Sequence, residues 1–122
     1  MAMEQIPHKQ DISFVRGDSF SFDVTFNTTD EELTINDIRF SARSNYDDSY
    51  YLFCKSIDNG ITHVAGRTYR VRIAPEDTAS LQTGKYYYDL QVDVGGARDI
   101  FTLLRGRLEL LWDVTRRGRN EH

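Results

Sequence analysis

The sequence predicts an all-β protein: an antiparallel immunoglobulin-like β-sandwich with one short helical turn near residues 76–82. Three observations predict it. Apolar and polar residues alternate at a period of two along most of the chain, and the 3.6-residue period of an amphipathic helix is nearly absent. Turn-forming groups recur about every 8–15 residues, dividing the chain into about seven or eight short strands. Strands alternating with long helical segments, the pattern of a parallel sheet, do not occur.

Each element carries its own signal. Ile12-Ser13-Phe14-Val15 reads as a short strand, and Arg16-Gly17-Asp18 as the tight turn after it, with glycine supplying positive φ. Ser19 to Phe26 comes next, with Phe20, Phe22, Val24 and Phe26 on the core face and Ser21, Asp23 and Thr25 on the other. The polar run Thr28-Thr29-Asp30-Glu31-Glu32 reads as a surface loop. Ile38, Phe40 and Ala42 then alternate with charged and polar residues. After the turn-rich stretch 45–50, Tyr51-Leu52-Phe53-Cys54 reads as a strand near a sheet edge. Asp58-Asn59-Gly60 and Ala65-Gly66-Arg67 mark turns, and Tyr69, Val71 and Ile73 point inward from the next strand.

Pro75 with Glu76, Asp77 and Thr78 provides the chemistry of a helix start, Gly84 provides a stop, and Leu81 is the expected inward anchor. Alternation resumes at Lys85, with Tyr86, Tyr88, Leu90, Val92 and Val94 inward and Tyr87, Asp89, Gln91 and Asp93 outward. Gly95-Gly96 signals a hairpin. Ile100, Thr102, Leu104, Leu108, Leu110, Trp112 and Val114 share one parity, Gly106 suggests a bulge, and Trp112 is expected in the core or at its edge. The paired cysteines and intervening tryptophan of antibody domains are missing, since Cys54 stands alone and Trp112 lies near the C-terminus. The expected likeness is therefore architectural.

At 122 residues the chain fits one domain. The expected division is a flexible N-terminal segment over 1–10, a sandwich over 11–115 and a flexible basic tail over 116–122. No apolar run approaches the length of a membrane span, and Met1 to Pro7 lacks a basic segment followed by an apolar core. No secretory signal is therefore expected, which places assembly in the cytoplasm. Formal net charge is −4, with 5 basic and 11 acidic residues over 1–61 but 10 basic and 8 acidic over 62–122. That acidic balance disfavours a dedicated nucleic-acid binder. Arg116, Arg117 and Arg119 form a basic cluster and a candidate docking tail.

Motifs for chemistry fail one by one. His8, His63 and His122 have no nucleophile motif around them. Cys54 has no partner for a disulfide and no Cys/His grouping for zinc. The phosphate-loop pattern ending at Gly84-Lys85 fails because position 79 is alanine. Asp30-Glu31-Glu32 and Asp47-Asp48 lack the spacing of an EF-hand, so solvated turns are expected there. No catalytic, cofactor-binding or metal residue is expected, and the chain reads as a non-enzyme. Tyr50, Tyr51 and Phe53 form a candidate interaction edge, since an open aromatic strand edge can add to a neighbouring sheet or to a second copy.

One resemblance adds to this reading. Residues 73–90 contain Pro75-Glu76-Asp77-Thr78, Leu81, Gly84-Lys85-Tyr86 and Tyr88-Asp89 in that order. This series resembles a recurrent segment of phage and prophage proteins similar to the N-terminal domain of baseplate upper proteins. There a Pro-x-Asp-Thr turn, a leucine, a Gly-x-Tyr and a Tyr-Asp pair precede the final hairpin. Arg16-Gly17-Asp18 before an alternating strand, and Leu104-Arg105-Gly106 followed by Asp113-Val114-Thr115-Arg116, fit the same pattern. The segment 28–66 carries no match.

The resemblance implies a β-sandwich virion or tail-assembly component, in the baseplate, neck or decoration of a particle. It implies no catalytic residue and no cofactor. Other virion or tail proteins are the implied partners, with a homo-oligomer as a further possibility, and the implied location is the host cytoplasm during assembly and then the virion. Baseplate upper proteins continue into a long linker and a receptor-binding-protein-attaching region, which do not follow Asp113-Val114-Thr115 here. The alternative from another class is a carbohydrate- or calcium-binding β-module, suggested by the tyrosines at 50–51 and 86–88 and by the acidic turns.

Overall fold

The structure is a computed structural model and describes residues 8–26, 34–45, 47, 49–96 and 99–112. It is all-β apart from one helical turn. The strands are β1 (His8–Lys9), β2 (Ile12–Val15), β3 (Phe20–Thr25), β4 (Ile35–Arg43), β5 (Phe53–Ile57), β6 (Gly60–Ala65), β7 (Thr68–Ile73), β8 (Gly84–Val94) and β9 (Asp99–Leu111). The turn, α1, covers Pro75–Thr78, shorter than the expected span and ended by the backbone bond from the Leu81 N–H to the Thr78 carbonyl.

Hydrogen bonds join the strands into one ladder in the order β1-β9-β8-β4-β5-β6-β7-β3, with β2 also on β9. Aromatic contacts show that the ladder curls over its own core, giving a nearly barrel-shaped body. Phe22 of β3 lies 5.9 Å from Phe40 of β4, although these strands are far apart in the ladder, and Phe14 of β2 stacks on Phe20 of β3 at 4.6 Å. Fully buried Phe40 is the centre, stacked also on Tyr88 and Phe53. The inward residues expected from alternation in β3, β4, β7 and β8 are those that bury or pack against this cluster. Alternation works because successive side chains of a strand leave opposite faces, so one parity is removed from water together.

The ladder is mixed, which corrects the strictly antiparallel expectation. β1 and β2 run parallel to β9, and β5 meets β6 in parallel over two pairs, Ser56 with Gly60 and Ile57 with Ile61. The N-terminal strands join β9 as an added edge, without a hairpin, so no turn fixes their direction. At β5–β6 the pairing is a tight corner around Asp58 and Asn59. Period-two patterning is the same for both directions and carries no sign of either.

Two further corrections concern β9. The register slips between Leu90 and Gln91, which pair with Leu104 and Thr102, so the irregularity sits at Leu103 and not at Gly106. Parity inverts there. Phe101 packs against the core and Ile100 is 61% exposed. Trp112 is also no core residue, being 65% exposed. β9 ends at Leu111 and β8 begins at Gly84, opposite Leu110, so no ladder partner covers the indole. It lies instead with its ring 5.5 Å from the Arg16 guanidinium carbon.

Gly106 has another task. A Cβ built on it would lie 2.1 Å from the carbonyl oxygen of Gln10, because the N-terminal segment crosses β9 at this point. There the Gln10 N–H donates to the Arg105 carbonyl (2.9 Å), the Tyr88 hydroxyl donates to the Gln10 carbonyl (2.6 Å), and the Arg107 N–H donates to Asp11 Oδ1 (2.9 Å). His8 and Lys9, placed by the sequence in the N-terminal segment, thus begin the ladder. Gly106→Ala should lower unfolding stability by about 1–3 kcal/mol, because the clash is with backbone and cannot relax by a rotamer change. Denaturant unfolding measures it; a change within about 0.5 kcal/mol would refute the crossing.

Candidate functional site

Two of the motifs that carried the resemblance, Arg16-Gly17-Asp18 and Asp77-Thr78, meet at one corner of the fold, while Asp113-Val114-Thr115-Arg116 lies outside the described residues. Arg16-Gly17-Asp18 turns the chain between β2 and β3, with Gly17 at φ 83° and the Asp18 N–H bonded to the Val15 carbonyl (3.1 Å). The Gly17 N–H donates to Oγ1 of Thr78 (2.9 Å), a fully buried side chain, and the Arg16 guanidinium donates to the Leu81 carbonyl (3.0 Å). Asp77 accepts from the Ala74 N–H (2.8 Å) and pairs with Lys55 Nζ of β5 at 2.6 Å. The Asp-Thr dipeptide therefore has two structural tasks. Its aspartate caps α1 and ties it to β5, and its threonine satisfies a turn N–H that would otherwise lack a partner.

The predicted interaction edge divides. Tyr50 is 83% exposed and Tyr51 about half exposed, both in the loop before β5, whereas Phe53 is 9% exposed and stacks on Phe40. Phe53 is thus a core residue, a correction to its place in the edge, and Leu52 is the third exposed apolar neighbour. The strand starts later than expected because alternation turns Phe53 inward opposite Ala42. β5 pairs β6 only at Ser56 and Ile57, so the ladder along its first three residues is on the β4 side. The docking-tail residues Arg116, Arg117 and Arg119 lie outside the described residues.

Of the tyrosine triplet, Tyr88 is buried, Tyr86 is half-buried with its hydroxyl donating to the Gln82 carbonyl (2.7 Å), and Tyr87 faces outward. His63 is exposed, with Nε2 2.8 Å from the Gly66 carbonyl oxygen and its ring 5.1 Å from that of Tyr69. Among the described residues no three His, Cys, Asp or Glu side chains converge as metal ligands, and no helix is long and apolar enough to cross a membrane.

The feature that sequence reasoning missed is the outward face of β4, β8 and β9. Ladder register places Arg43, Tyr87 and Arg107 in one row, Ser41, Asp89 and Arg105 in the next, and Arg39, Gln91 and Thr102 in the third. Among the described residues these three rows thus hold four guanidinium groups and one carboxylate, in a chain whose formal net charge is −4. Arg43 Nη1 stands 3.9 Å from Asp89 Oδ2, at the limit of an ion pair, and Arg43 Nε is buried without a hydrogen-bond partner among the described residues. Shallow depressions of about 180 and 190 Å³ lie at the two ends of these rows, the first lined by Asp37, Arg39, Asp93 and Ile100, the second by Asp11, Lys85, Arg107 and Glu109. The arginines come from strands distant in sequence, so only register could have revealed the cluster.

Burial raises the Asp89 carboxyl above the ordinary aspartate range, outweighing the opposing pull of Arg43 and Arg105. On β3, hydrogen bonding to Arg70 of β7 lowers exposed Asp23 below that range.

No family model matches the chain, and no curated protein matches it. Among solved structures it is similar to a family 123 glycoside hydrolase from Clostridium perfringens, described in connection with glycolipid glycan hydrolysis. The identity is 14%, the TM-score 0.49, and the match covers 87% of this chain and 23% of the hydrolase. The chain therefore spans less than a quarter of that enzyme's length.

Two measurements test the site. Thr78→Val should destabilise by about 1–3 kcal/mol by orphaning the Gly17 N–H, and Thr78→Ser should recover most of the loss; equal stability of Val and wild type would discount the bond. Because Asp89 holds its proton more tightly folded than unfolded, its contribution falls as pH rises through its folded pKa. Asp89→Asn should therefore melt higher than wild type at about pH 7, with the difference vanishing near about pH 3. A lower melting temperature at neutral pH would show that the arginines outweigh burial.

Proposed function

We propose that the chain is a non-catalytic building block of a phage particle, a virion or tail-assembly protein of the baseplate, neck or decoration type that acts through protein–protein contacts. The observation that carries this reading is the corner between Arg16-Gly17-Asp18 and Asp77-Thr78. Two motifs 61 residues apart, each shared with proteins similar to the N-terminal domain of baseplate upper proteins, are joined by the Gly17–Thr78 hydrogen bond. In this reading the architecture is immunoglobulin-like, with β3, β6 and β7 forming one layer and β2, β4, β5, β8 and β9 the other.

Surface chemistry supports contact with protein. Tyr50, Tyr51 and Leu52 expose three consecutive apolar side chains beside the partly open β5 edge, and Ile100, Leu111 and Trp112 are exposed elsewhere. Such groups gain most when a partner removes them from water. Co-expression with the products of neighbouring genes, followed by light scattering of the purified material, tests the proposal. A stable complex with a virion or tail protein, or a defined homo-oligomer, is expected. A strict monomer at all concentrations that binds no particle component would overturn it, and glycan-array binding or a calcium-dependent rise in melting temperature would favour the β-module instead.

A further inference from the structure

We infer that the outward face of β4, β8 and β9 docks a short carboxylate-rich segment of a partner protein, with Arg39, Arg43, Arg105 and Arg107 as the recognising groups. The inference rests on the protein–protein reading above and names the chemistry of the partner.

Charge balance is the first argument. An outward sheet face is ordinarily polar with its charges in balance, yet here four arginines meet one carboxylate within three rows of an acidic chain. Asp89 is a poor counter-ion for them. It stands at the limit of contact with Arg43, and burial opposes its charged form. An arriving carboxylate would find guanidinium groups already clustered, one of them, Arg43, half-buried, in reach of bidentate pairing.

The extent of the patch decides which polyanion fits. Same-face residues repeat about every 6.7 Å along a strand, so three rows span about 13 Å. Carboxylates stand beyond the band at both ends, Asp37 and Asp93 beyond the Arg39 row, and Asp11 with Glu109, itself in register with Lys85, beyond the Arg43 row. A nucleic-acid strand would run its phosphates onto these acids, since its charge repeats without interruption. A peptide carrying a few carboxylates can end within the band. Tyr87, between Arg43 and Arg107, offers an aromatic surface against which such a segment packs.

The test titrates the full, isotope-labelled chain with a tetraglutamate peptide, about 13 Å long when extended, and, separately, with a single-stranded oligonucleotide of about ten phosphates, and follows backbone amide resonances. Tetraglutamate should shift Ser41, Arg43, Tyr87, Asp89 and Arg105 together. Affinity should fall about tenfold or more in Arg105→Glu/Arg107→Glu, and separately in Arg39→Glu, while Arg105→Lys/Arg107→Lys keeps most of it. These side chains are exposed, and unchanged melting curves would verify the fold of each variant. Shifts confined to the 116–119 basic cluster, no shifts at all, or equal or tighter oligonucleotide binding on the same rows would each overturn the inference. A particle-protein complex that survives the charge reversals would remove the face from the interface and leave the assembly reading standing. Peptide binding to the rows without any particle-protein complex would do the reverse.

Discussion

The N-terminal segment can join this fold only because β9 has no side chain where the two cross. At Gly106 the backbone of Gln10 comes so close that any Cβ would overlap its carbonyl, and the polar groups freed by the crossing are taken up by Arg105, Tyr88 and Arg107. Tyr88 is the pivot on the other side. Its ring stacks on Phe40 at the core centre while its hydroxyl holds the Gln10 carbonyl, so one residue couples core packing to the register of the added strands. With that register set, Ile12 to Val15 pair with Leu108 to Leu111, Phe14 reaches Phe20, and the chain arrives at Arg16 in position to turn.

The rest of the corner depends on that arrival. The Arg16-Gly17-Asp18 turn carries the chain from β2, at one end of the ladder, to β3 at the other, and Thr78 holds the turn. Lys55 and Asp77 then fasten the same helical turn to β5, so both ends of the ladder and its middle are tied within a few residues. A single helical turn of four residues has almost no stability of its own. It persists because its side chains are used by two neighbours, Thr78 by the Arg16-Gly17-Asp18 turn and Asp77 by β5.

How much of this could be read from the residues depends on whether the signal was local. The inward sets of β3, β4, β7 and β8 were legible because burial acts on one parity of a strand, Gly17 has the positive φ that its turn was expected to need, and Asp58, Gly60, Gly66 and Gly95 have positive φ where turns were read. The direction of β1 and β2, the slip at Leu103 and the burial of Phe53 were not legible, since each is decided by a partner strand that the local pattern does not name. Gly106 shows the difference well. Its lack of a side chain was noticed as a local bend, whereas its cause lies 96 residues earlier at Gln10. The arginine face was hidden for the same reason, because Arg39 and Arg43 become neighbours of Arg105 and Arg107 only through β8.

The two sides of the ladder also use charge differently, and that contrast bears on where a partner can act. On β3 and β7 one outward ion pair is made within the chain, and Arg72 donates to the Ser19 hydroxyl. Asp23 and Arg70 face each other in register with two hydrogen bonds, and Thr25 and Thr68 share another. Such a surface has little to gain from a charged partner, because binding would first have to break pairs already made in water. Across β4, β8 and β9 the cations outnumber the carboxylate between them, and that carboxylate is the one whose charge burial disfavours. Repulsion among the arginines is a cost carried by the isolated chain, relieved when opposite charge arrives. An exposed aromatic loop can hold a partner by area alone; this face adds a condition on the partner's sign, and so distinguishes one apolar neighbour from another.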